Sequence, residues 1–202
     1  MAEEFKPLNS SKTPNATDPF AKKSGMGGTG GGDRKKRQKT ASEYKKSLVE
    51  KQTLKRLYGL SERQFKRYVL ETLEKMGRVE NVSDELIKNL EKRLDNVIFR
   101  LGFSKSRSHA RQLVNHSYFL INGKAVNIPY FKVKKGDIIT IKESKKKKMV
   151  FTDLAANLKK MEAPKWLTLN KDKFEAITVG DPSLLEANPP VEISLVFEFY
   201  SR

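Results

Sequence analysis

Residues 93–142 read RLDNVIFRLGFSKSRSHARQLVNHSYFLINGKAVNIPYFKVKKGDIITIK. This stretch combines an amphipathic helix, a capped short helix with two arginines one turn apart, an Asn-Gly hairpin and a Lys-rich exit strand. Between Arg93 and Met149, fourteen Lys or Arg residues face only three Asp or Glu residues. A small fold that carries so much charge of one sign is typical of a protein that binds a polyanion.

The apolar spacing predicts two helices in the first half of this stretch. One helix is expected to begin after Ser83 and to hold a single apolar face until Gly102 stops it. Ser106 then has the position of an N-cap for a short helix that runs through Asn115.

The second half of the stretch predicts a small sheet. Residues 118–121 read as a strand, and Asn122 with Gly123 forms a hairpin signal, because a type I′ turn needs positive φ at both central residues. Residues 124–128 are expected to return along the first strand. A further turn leads into a strand at residues 138–141.

Two more helices are predicted upstream. Helical spacing begins near Ser42, and Gly59 suits the stop of that helix. Ser61 and Gln64 have the spacing of a capping box, so a second helix is expected to begin there and to run to Gly77.

The remaining parts of the chain have a different composition. Residues 1–41, rich in Pro and Gly, predict a disordered or extended basic arm. The segment 151–161 is a candidate helix. The alternation in residues 192–199 fits either a strand or a segment packed on the helices.

These patterns divide the chain into four parts. Residues 42–92 are predicted to form a helical domain, completed by residues 175–202. Residues 93–155 form the candidate binding module, and residues 156–174 connect the two. The predicted fold class is α+β: a helical domain plus a small module of two helices packed on a short, mostly antiparallel sheet.

Composition limits the function classes. The 202-residue chain has a formal net charge of +17, concentrated in residues 34–67 and 93–149, which favours nucleic acid first and an anionic membrane second. No apolar run approaches the length of a membrane span, and the N-terminus has neither the apolar core of a secretory signal nor the acid-poor character of a transit peptide. With no cysteine, disulfides, thiol nucleophiles and cysteine-ligated metals are excluded, which fits a reducing cytosol.

Neither catalysis nor a cofactor is predicted. The two histidines, His109 and His116, have no clustered carboxylates near them, so a metal site or a general base is not expected there. No phosphate-binding loop, nucleophile elbow or metalloprotease motif is present.

Candidate nucleic-acid contacts follow from the placement of cations. Arg107 and Arg111 share a face of the short helix, next to its N-terminus capped by Ser106, and this arrangement would form a phosphate-binding site. The alternative is a solvated helix face without a ligand. The lysines around the hairpin could instead protect strand edges, and the cations at residues 45–67 could serve solubility. The full predicted set is Arg34, Lys35, Lys36, Arg37, Lys45, Lys51, Lys55, Arg56, Arg63, Lys66, Arg67, Ser106, Arg107, His109, Arg111, Gln112, Lys124, Lys132, Lys134 and Lys135.

The stretch at residues 93–142 closely resembles the RNA-binding module first named from ribosomal protein four of the small subunit. It matches that family's RLDN-V--RLGF helix, its -R---RQLV-H helix, its NG hairpin and its V-K-GD-I strand, in order. The module alone also occurs in pseudouridine synthases, some aminoacyl-tRNA synthetases and a heat-shock protein. The flanks, SEYKKSLVEKQTLKRLYGLSERQFKRY at 42–68 and FEFYSR at 197–202, resemble the bacterial ribosomal protein family itself, so the resemblance covers about residues 42–202.

The resemblance implies a structural protein of the cytoplasmic small ribosomal subunit. Such a protein binds the 5′ domain of 16S rRNA, nucleates assembly of the 30S body, and contributes to decoding accuracy near the channel through which mRNA enters. Implied partners are the 16S rRNA, small-subunit ribosomal protein five and other neighbours at that channel, with mRNA left open. Neither a membrane nor a second copy of the chain is expected. Residues 1–40 depart from the family, since they match neither its basic ordered start nor its zinc-binding form.

Two other functions stay open at this stage. An RNA-modifying enzyme with an appended RNA module would need a second domain with a catalytic Asp, and none is recognisable. A ribosome-rescue factor of the heat-shock type would lack both the helices at residues 42–68 and the FEFYSR ending.

Overall fold

The computed structural model describes residues 42–146, 148, 151, 158 and 162–201. The predicted basic arm, with Arg34, Lys35, Lys36 and Arg37, lies outside the described residues. So does most of the candidate helix at residues 151–161.

Helices α1 (Glu43–Leu57) and α2 (Glu62–Leu73) confirm the two upstream predictions. Between them Gly59 has φ +60°, a conformation in which glycine lacks the strain of a side chain. Ser61 and Gln64 form the predicted capping box, in which each side chain bonds the other residue's backbone N–H. Helix α2 ends before Gly77, and residues 74–76 continue as tighter turns.

The single long helix predicted after Ser83 is wrong, because the chain forms two helices. They are α3 (Val82–Glu91), capped by the Asn81 side chain, and α4 (Leu94–Arg100). Arg93 between them has an extended backbone (φ −68°, ψ 136°). The N–H groups of Leu94 and Asp95 donate to the carbonyl oxygens of Phe131 (2.9 Å) and Pro129 (3.1 Å) instead of continuing a helix.

Helix α5 (Arg107–Asn115) begins as the sequence predicts. The Ser106 hydroxyl accepts a hydrogen bond from the backbone N–H of His109 at 3.2 Å, which satisfies one free donor of the first turn. Ala110, Leu113 and Val114 are buried and face α4 and the sheet.

The sheet contains five antiparallel strands in the order β2-β1-β3-β5-β4. They are β1 (Phe119–Ile121), β2 (Lys124–Ala125), β3 (Ile138–Ile141), β4 (Leu167–Asn170) and β5 (Glu175–Thr178), with a short helix α6 (Glu143–Lys146) after β3. Asn122 (φ 50°) and Gly123 (φ 80°) form the predicted hairpin turn. The return strand is shorter than the predicted 124–128, since β2 ends at Ala125 and the chain by Pro129 and Phe131 is hydrogen-bonded to the start of α4 instead. The predicted α+β class is confirmed.

The C-terminal part of the chain is divided between the sheet and the helices. Strand β5 pairs with β3. Helices α7 (Leu184–Ala187) and α8 (Ile193–Ser201) join the helical side, and α8 packs along α1 and α2 with Ile193 and Val196 buried. The strand alternative for residues 192–199 is therefore wrong, and its helix-packed alternative is right.

Two apolar clusters form the core. One joins α1, α2, α3, α7 and α8 around Phe65 and Leu86. The other joins α4, α5 and the sheet around Phe119 and Ile139. Helix α3 belongs to the first cluster and α4 to the second. Arg93, which joins Lys92 at the end of α3 to the start of α4, therefore lies between the two clusters.

Candidate nucleic-acid interface

Two buried carboxylates, Glu91 and Asp95, lie where the two apolar clusters meet. Asp95 is 3% exposed and accepts from the guanidinium of Arg93 (Nη2 to Oδ2, 2.7 Å) and from that of Arg111 (3.0 Å). Because Asp95 is paired on both sides, this buried negative charge is neutralised inside the protein.

Glu91 is 1% exposed and has four donors around it. The Tyr58 hydroxyl (2.7 Å), the Asn96 amide (2.7 Å) and two nitrogens of Arg100 (2.7 and 3.0 Å) all donate to its oxygens. Burial and the neighbouring Glu91 carboxylate raise the pKa of Tyr58 far above its ordinary value. Burial alone would lower the pKa of Arg100, but its hydrogen bonds to Glu91 raise it, so the Arg100 guanidinium keeps its charge.

Arg107 is the exception among the arginines at this junction. Its Nε donates to the neutral side-chain oxygen of Asn96 at 2.8 Å, and its guanidinium lies 4.5 Å from the Phe99 ring centre and 5.1 Å from that of Tyr58. No carboxylate of the described residues forms an ion pair with it. Burial lowers the pKa of Arg107, so its charge is partly desolvated without being neutralised.

Arg111, one turn further along α5, has a different environment. Beyond its ion pair with Asp95, it donates to the carbonyl oxygens of Gly59 (2.6 Å) and Tyr58 (3.3 Å). Most of its donors are thus used to hold α5 against the turn between α1 and α2. Its contact with RNA stays a prediction, and this geometry favours a structural role.

A cleft of about 350 Å³ opens beside Arg107, where the end of α1 meets the start of α5. Its cations are Arg56, Lys105 and Arg107, and no acidic residue of the described part of the chain lines it. The full lining is Arg56, Leu57, Gly59, Phe99, Lys105, Ser106, Arg107 and Ser108. Three cations and two hydroxyl side chains, with no acid in the described lining, form a binding site suited to an anion such as phosphate.

Two predicted contacts on α1 are paired with one shared carboxylate within the protein. Lys51 is 7% exposed, and its Nζ pairs with Glu62 at 2.8 Å while lying 4.4 Å from the Phe199 ring centre. Lys55 pairs with the same carboxylate at 2.9 Å, and the Tyr200 hydroxyl donates to Glu62 Oε1 at 2.7 Å. Burial opposes ionisation of Glu62, but these donors outweigh it and lower its pKa to about 2.

The other cations of this first block remain on the surface. Arg67 lies one turn from Glu71 at 3.3 Å, an exposed pair with little energy. The exposed cations of α1 and α2 from the predicted set are Lys45, Arg56, Arg63, Lys66 and Arg67.

The predicted lysines around the hairpin are all exposed; they are Lys124, Lys132, Lys134 and Lys135. Among them, Lys132 donates to the side-chain oxygen of Asn89 at 3.0 Å. Because Lys124 lies on the edge strand β2, edge protection and RNA contact both remain open for it. On α5, Gln112 is exposed and His109 is half-buried.

The cleft also contains residues that were not among the predicted contacts. Lys105 and Ser108 line it, and the buried partners Tyr58 and Asn96 contact the Arg107 side chain. Lys105 could have been found from its place directly before the cap residue Ser106. The buried partners carry no local signal, because their contacts depend on tertiary packing.

Neither a metal cluster nor a membrane helix is found in the described part of the chain. No group of three or more His, Cys, Asp or Glu side chains there could hold a metal ion. No helix described is both apolar and long enough to cross a bilayer.

Comparison with known proteins gives concordant matches. Residues 92–139 match the family model described as S4 domain, and residues 3–92 match the Ribosomal protein S4/S9 N-terminal domain. The chain is 42% identical over 171 residues to small ribosomal subunit protein uS4 of Halothermothrix orenii, covering 85% of the chain and 81% of that relative. It is 41% identical to the protein of the same name from Caldicellulosiruptor saccharolyticus (91% and 85% covered) and 43% identical to uS4A of Clostridium perfringens (91% and 84%).

Proposed function

The chain belongs to the family of small ribosomal subunit protein uS4, and from that premise we propose that it binds the 5′ domain of 16S rRNA as a primary assembly protein. Members of this family are structural constituents of the small subunit in the cytoplasm and are not enzymes, and the same holds for this chain. An RNA-binding role is implied by its S4 domain. The enzyme and rescue-factor alternatives are thereby set aside.

The observation that carries the proposal is the unneutralised Arg107. Arg93, Arg100 and Arg111 around it are each paired with a buried carboxylate, whereas Arg107 lies in a cleft with Arg56 and Lys105 and without an acid. A partly desolvated cation without a counter-charge is stabilised by binding an anion. Phosphate groups of folded RNA supply such anions, and the exposed cations of α1, α2 and the hairpin extend the contact.

In this proposal the RNA is recognised chiefly by shape. Contacts to phosphates position a protein on RNA without reading its bases, and the surface cations here are suited to phosphates. The residues proposed to contact RNA are Lys45, Arg56, Arg63, Lys66, Arg67, Lys105, Arg107, Lys124, Lys134 and Lys135, with Ser106, His109, Gln112 and Lys132 as secondary members. Arg111 is proposed to act by holding α5 against the turn between α1 and α2.

The finer role is also part of the proposal. Nucleation of the 30S body, a place near the channel through which mRNA enters, contact with small-subunit protein five and an influence on decoding accuracy rest on the family resemblance. Residues 68–92, with four basic and six acidic residues, give the molecule a region better suited to protein neighbours than to RNA.

A binding experiment with the full-length protein and a 5′-domain fragment of 16S rRNA tests the proposal. With on the order of eight phosphates contacted, affinity should fall roughly a thousand- to a hundred-thousand-fold between 50 and 200 mM salt. An unrelated RNA of equal length should bind much more weakly. Equal affinity for both RNAs, or affinity independent of salt, would overturn the proposal.

A second experiment tests the assembly role. In sucrose gradients of cell extract the protein should stay with small subunits after a high-salt wash, at about one copy per particle. Recovery at the top of the gradient would contradict a structural role.

A further inference from the structure

Arg107 is held by a neutral group at a junction that is otherwise ionic. Three arginines form ion pairs with the buried carboxylates Glu91 and Asp95, with nitrogen–oxygen distances of 2.7 to 3.0 Å. These arginines are Arg93, Arg100 and Arg111. Arg107 instead donates its Nε to the side-chain oxygen of Asn96. An amide oxygen orients a guanidinium without cancelling its charge.

The orientation of Asn96 is itself fixed. The residue is 2% exposed, and its amide nitrogen donates to Glu91 twice, to Oε2 at 2.7 Å and to the backbone oxygen at 3.1 Å. Since both acceptors lie on the nitrogen side, the amide oxygen is directed to Arg107 Nε. Glu91 is in turn held by Tyr58 and Arg100.

Arg107 is therefore restrained on one edge and along its plane. The amide oxygen holds Nε, and the Phe99 and Tyr58 rings pack against the guanidinium. Its two η-nitrogens have no hydrogen-bond acceptor among residues 42–146 or the other described positions. A guanidinium with a free pair of η-nitrogens can bind a phosphate with two parallel hydrogen bonds.

We propose that Asn96, held by Glu91, is a positioning residue for RNA binding, because it fixes Arg107 in the orientation that receives a phosphate group. This inference rests on the proposed rRNA-binding function. The physical basis is preorganisation: an arginine that is already ordered loses less side-chain entropy when RNA binds.

A double-mutant cycle tests the inference. Asn96→Ala in the full-length protein should weaken binding of the 5′-domain fragment at fixed salt by roughly 2- to 12-fold, the range for immobilising one side chain. In a background that carries Arg107→Gln, the same change should leave the dissociation constant unaltered. An equal loss in both backgrounds would mean that Asn96 acts only on the fold, and the inference would be overturned.

Thr72→Val provides the matched control. Thr72 is also buried (1% exposed), and its hydroxyl donates to the Tyr68 carbonyl oxygen at 2.7 Å, without contact to Arg107. It should lower the melting temperature as Asn96→Ala does, with no change in RNA affinity. A loss of affinity for Thr72→Val as large as for Asn96→Ala would show that destabilisation alone explains the effect.

A measurement on the unmodified protein decides the matter if Asn96→Ala does not fold. The Arg107 Nε–H should exchange slowly with solvent in free protein, while the exposed Arg63 provides the fast reference. Equal exchange rates would overturn the inference. If the wild-type protein fails to bind the rRNA fragment at all, the proposed function fails; if it binds normally but the cycle shows no coupling, only the role of Asn96 fails.

Discussion

Two clusters of positive charge in this molecule have opposite uses. At the first, Lys51 and Lys55 converge on Glu62, and helix α8 covers them with Phe199 and Tyr200. At the second, Arg56, Lys105 and Arg107 line a cleft that contains no acid. The difference is a single well-placed carboxylate: with it, cations hold helices together, and without it they remain available to an external anion.

The same contrast exists within one helix. Arg107 and Arg111 lie one turn apart on α5 and were predicted as a pair. Arg111 shares the Asp95 carboxylate with Arg93, whereas Arg107 pairs with no carboxylate of the described residues. Local charge density therefore does not distinguish the two arginines; the position of the nearest buried carboxylate does.

The largest expected effect concerns the arginines that are paired with the buried carboxylate of Asp95. Asp95→Asn removes the negative charge shared by Arg93 and Arg111, and leaves buried Arg93 without a counter-charge, so the free energy of unfolding should fall by about 3 to 5 kcal/mol. Urea denaturation followed by circular dichroism measures this. Glu71→Gln, which breaks the exposed pair with Arg67, should change stability by less than about 1 kcal/mol. Comparable losses for the two variants would show that the buried junction does not hold the clusters together.

The next effect separates the two arginines of α5. Arg107→Gln should weaken binding of the 5′-domain fragment by about tenfold or more and reduce the salt slope by about 0.7 to 0.9, because one phosphate contact is lost. Arg111→Gln should lower stability while leaving that slope nearly unchanged. Binding measured at several salt concentrations, with thermal unfolding of each variant, gives both quantities. Equal reductions of the slope would mean that both arginines contact phosphate.

Elements with local chemistry could be predicted from the sequence. The capping box of Ser61, the cap of Ser106 and the Asn122-Gly123 hairpin depend on residues within a few positions of one another, and each is confirmed. The break at Arg93 could not be predicted in this way. It is imposed by the carbonyl oxygens of Pro129 and Phe131, which lie more than thirty residues away along the chain, while the apolar spacing continues across it.

The positive charge of the candidate site could be predicted from the sequence, but not which of its cations pair with a carboxylate inside the protein. The cations of residues 34–67 and 93–149 predicted two basic regions, of which residues 34–41 lie outside the described residues. Which of them pair with a carboxylate depends on tertiary contacts such as that of Arg111 with Asp95, or of Lys51 with Glu62. Helix α8 was ambiguous for the same reason, since the apolar surface it covers on α1 and α2 decides its conformation.

Removing the N-cap side chains of two helices should have effects of intermediate size and again compares the cleft with a surface away from it. Ser106→Ala and Ser61→Ala should each reduce the free energy of unfolding by about 1 kcal/mol, because each leaves a first-turn N–H without its acceptor. Only the Ser106 variant should also weaken RNA binding, by a few-fold, since that residue lines the cleft beside Arg107. Denaturation and fragment binding measured on both variants test this. A matching loss of RNA affinity in Ser61→Ala would place phosphate contacts at the start of α2 as well.

The smallest expected effect concerns pH at the neutralised cluster. Lys51, Lys55 and Tyr200 together overcome burial and lower the pKa of Glu62 from its ordinary 4.5 to about 2. A carboxyl with a lowered folded-state pKa contributes stability that is complete above its ordinary value and is lost as the pH falls toward 2. Because the Glu62 side chain is 45% exposed, solvent screening limits this contribution to roughly 0.5 to 1 kcal/mol. Between pH 5 and pH 2 the wild type should therefore lose more stability than Glu62→Gln, by that amount. RNA affinity at neutral pH should be the same for both proteins, because Glu62 holds helices together and does not contact RNA. A gain in affinity for Glu62→Gln would mean that Lys51 and Lys55, once released from Glu62, add phosphate contacts. The two clusters of positive charge would then differ less than their geometry indicates.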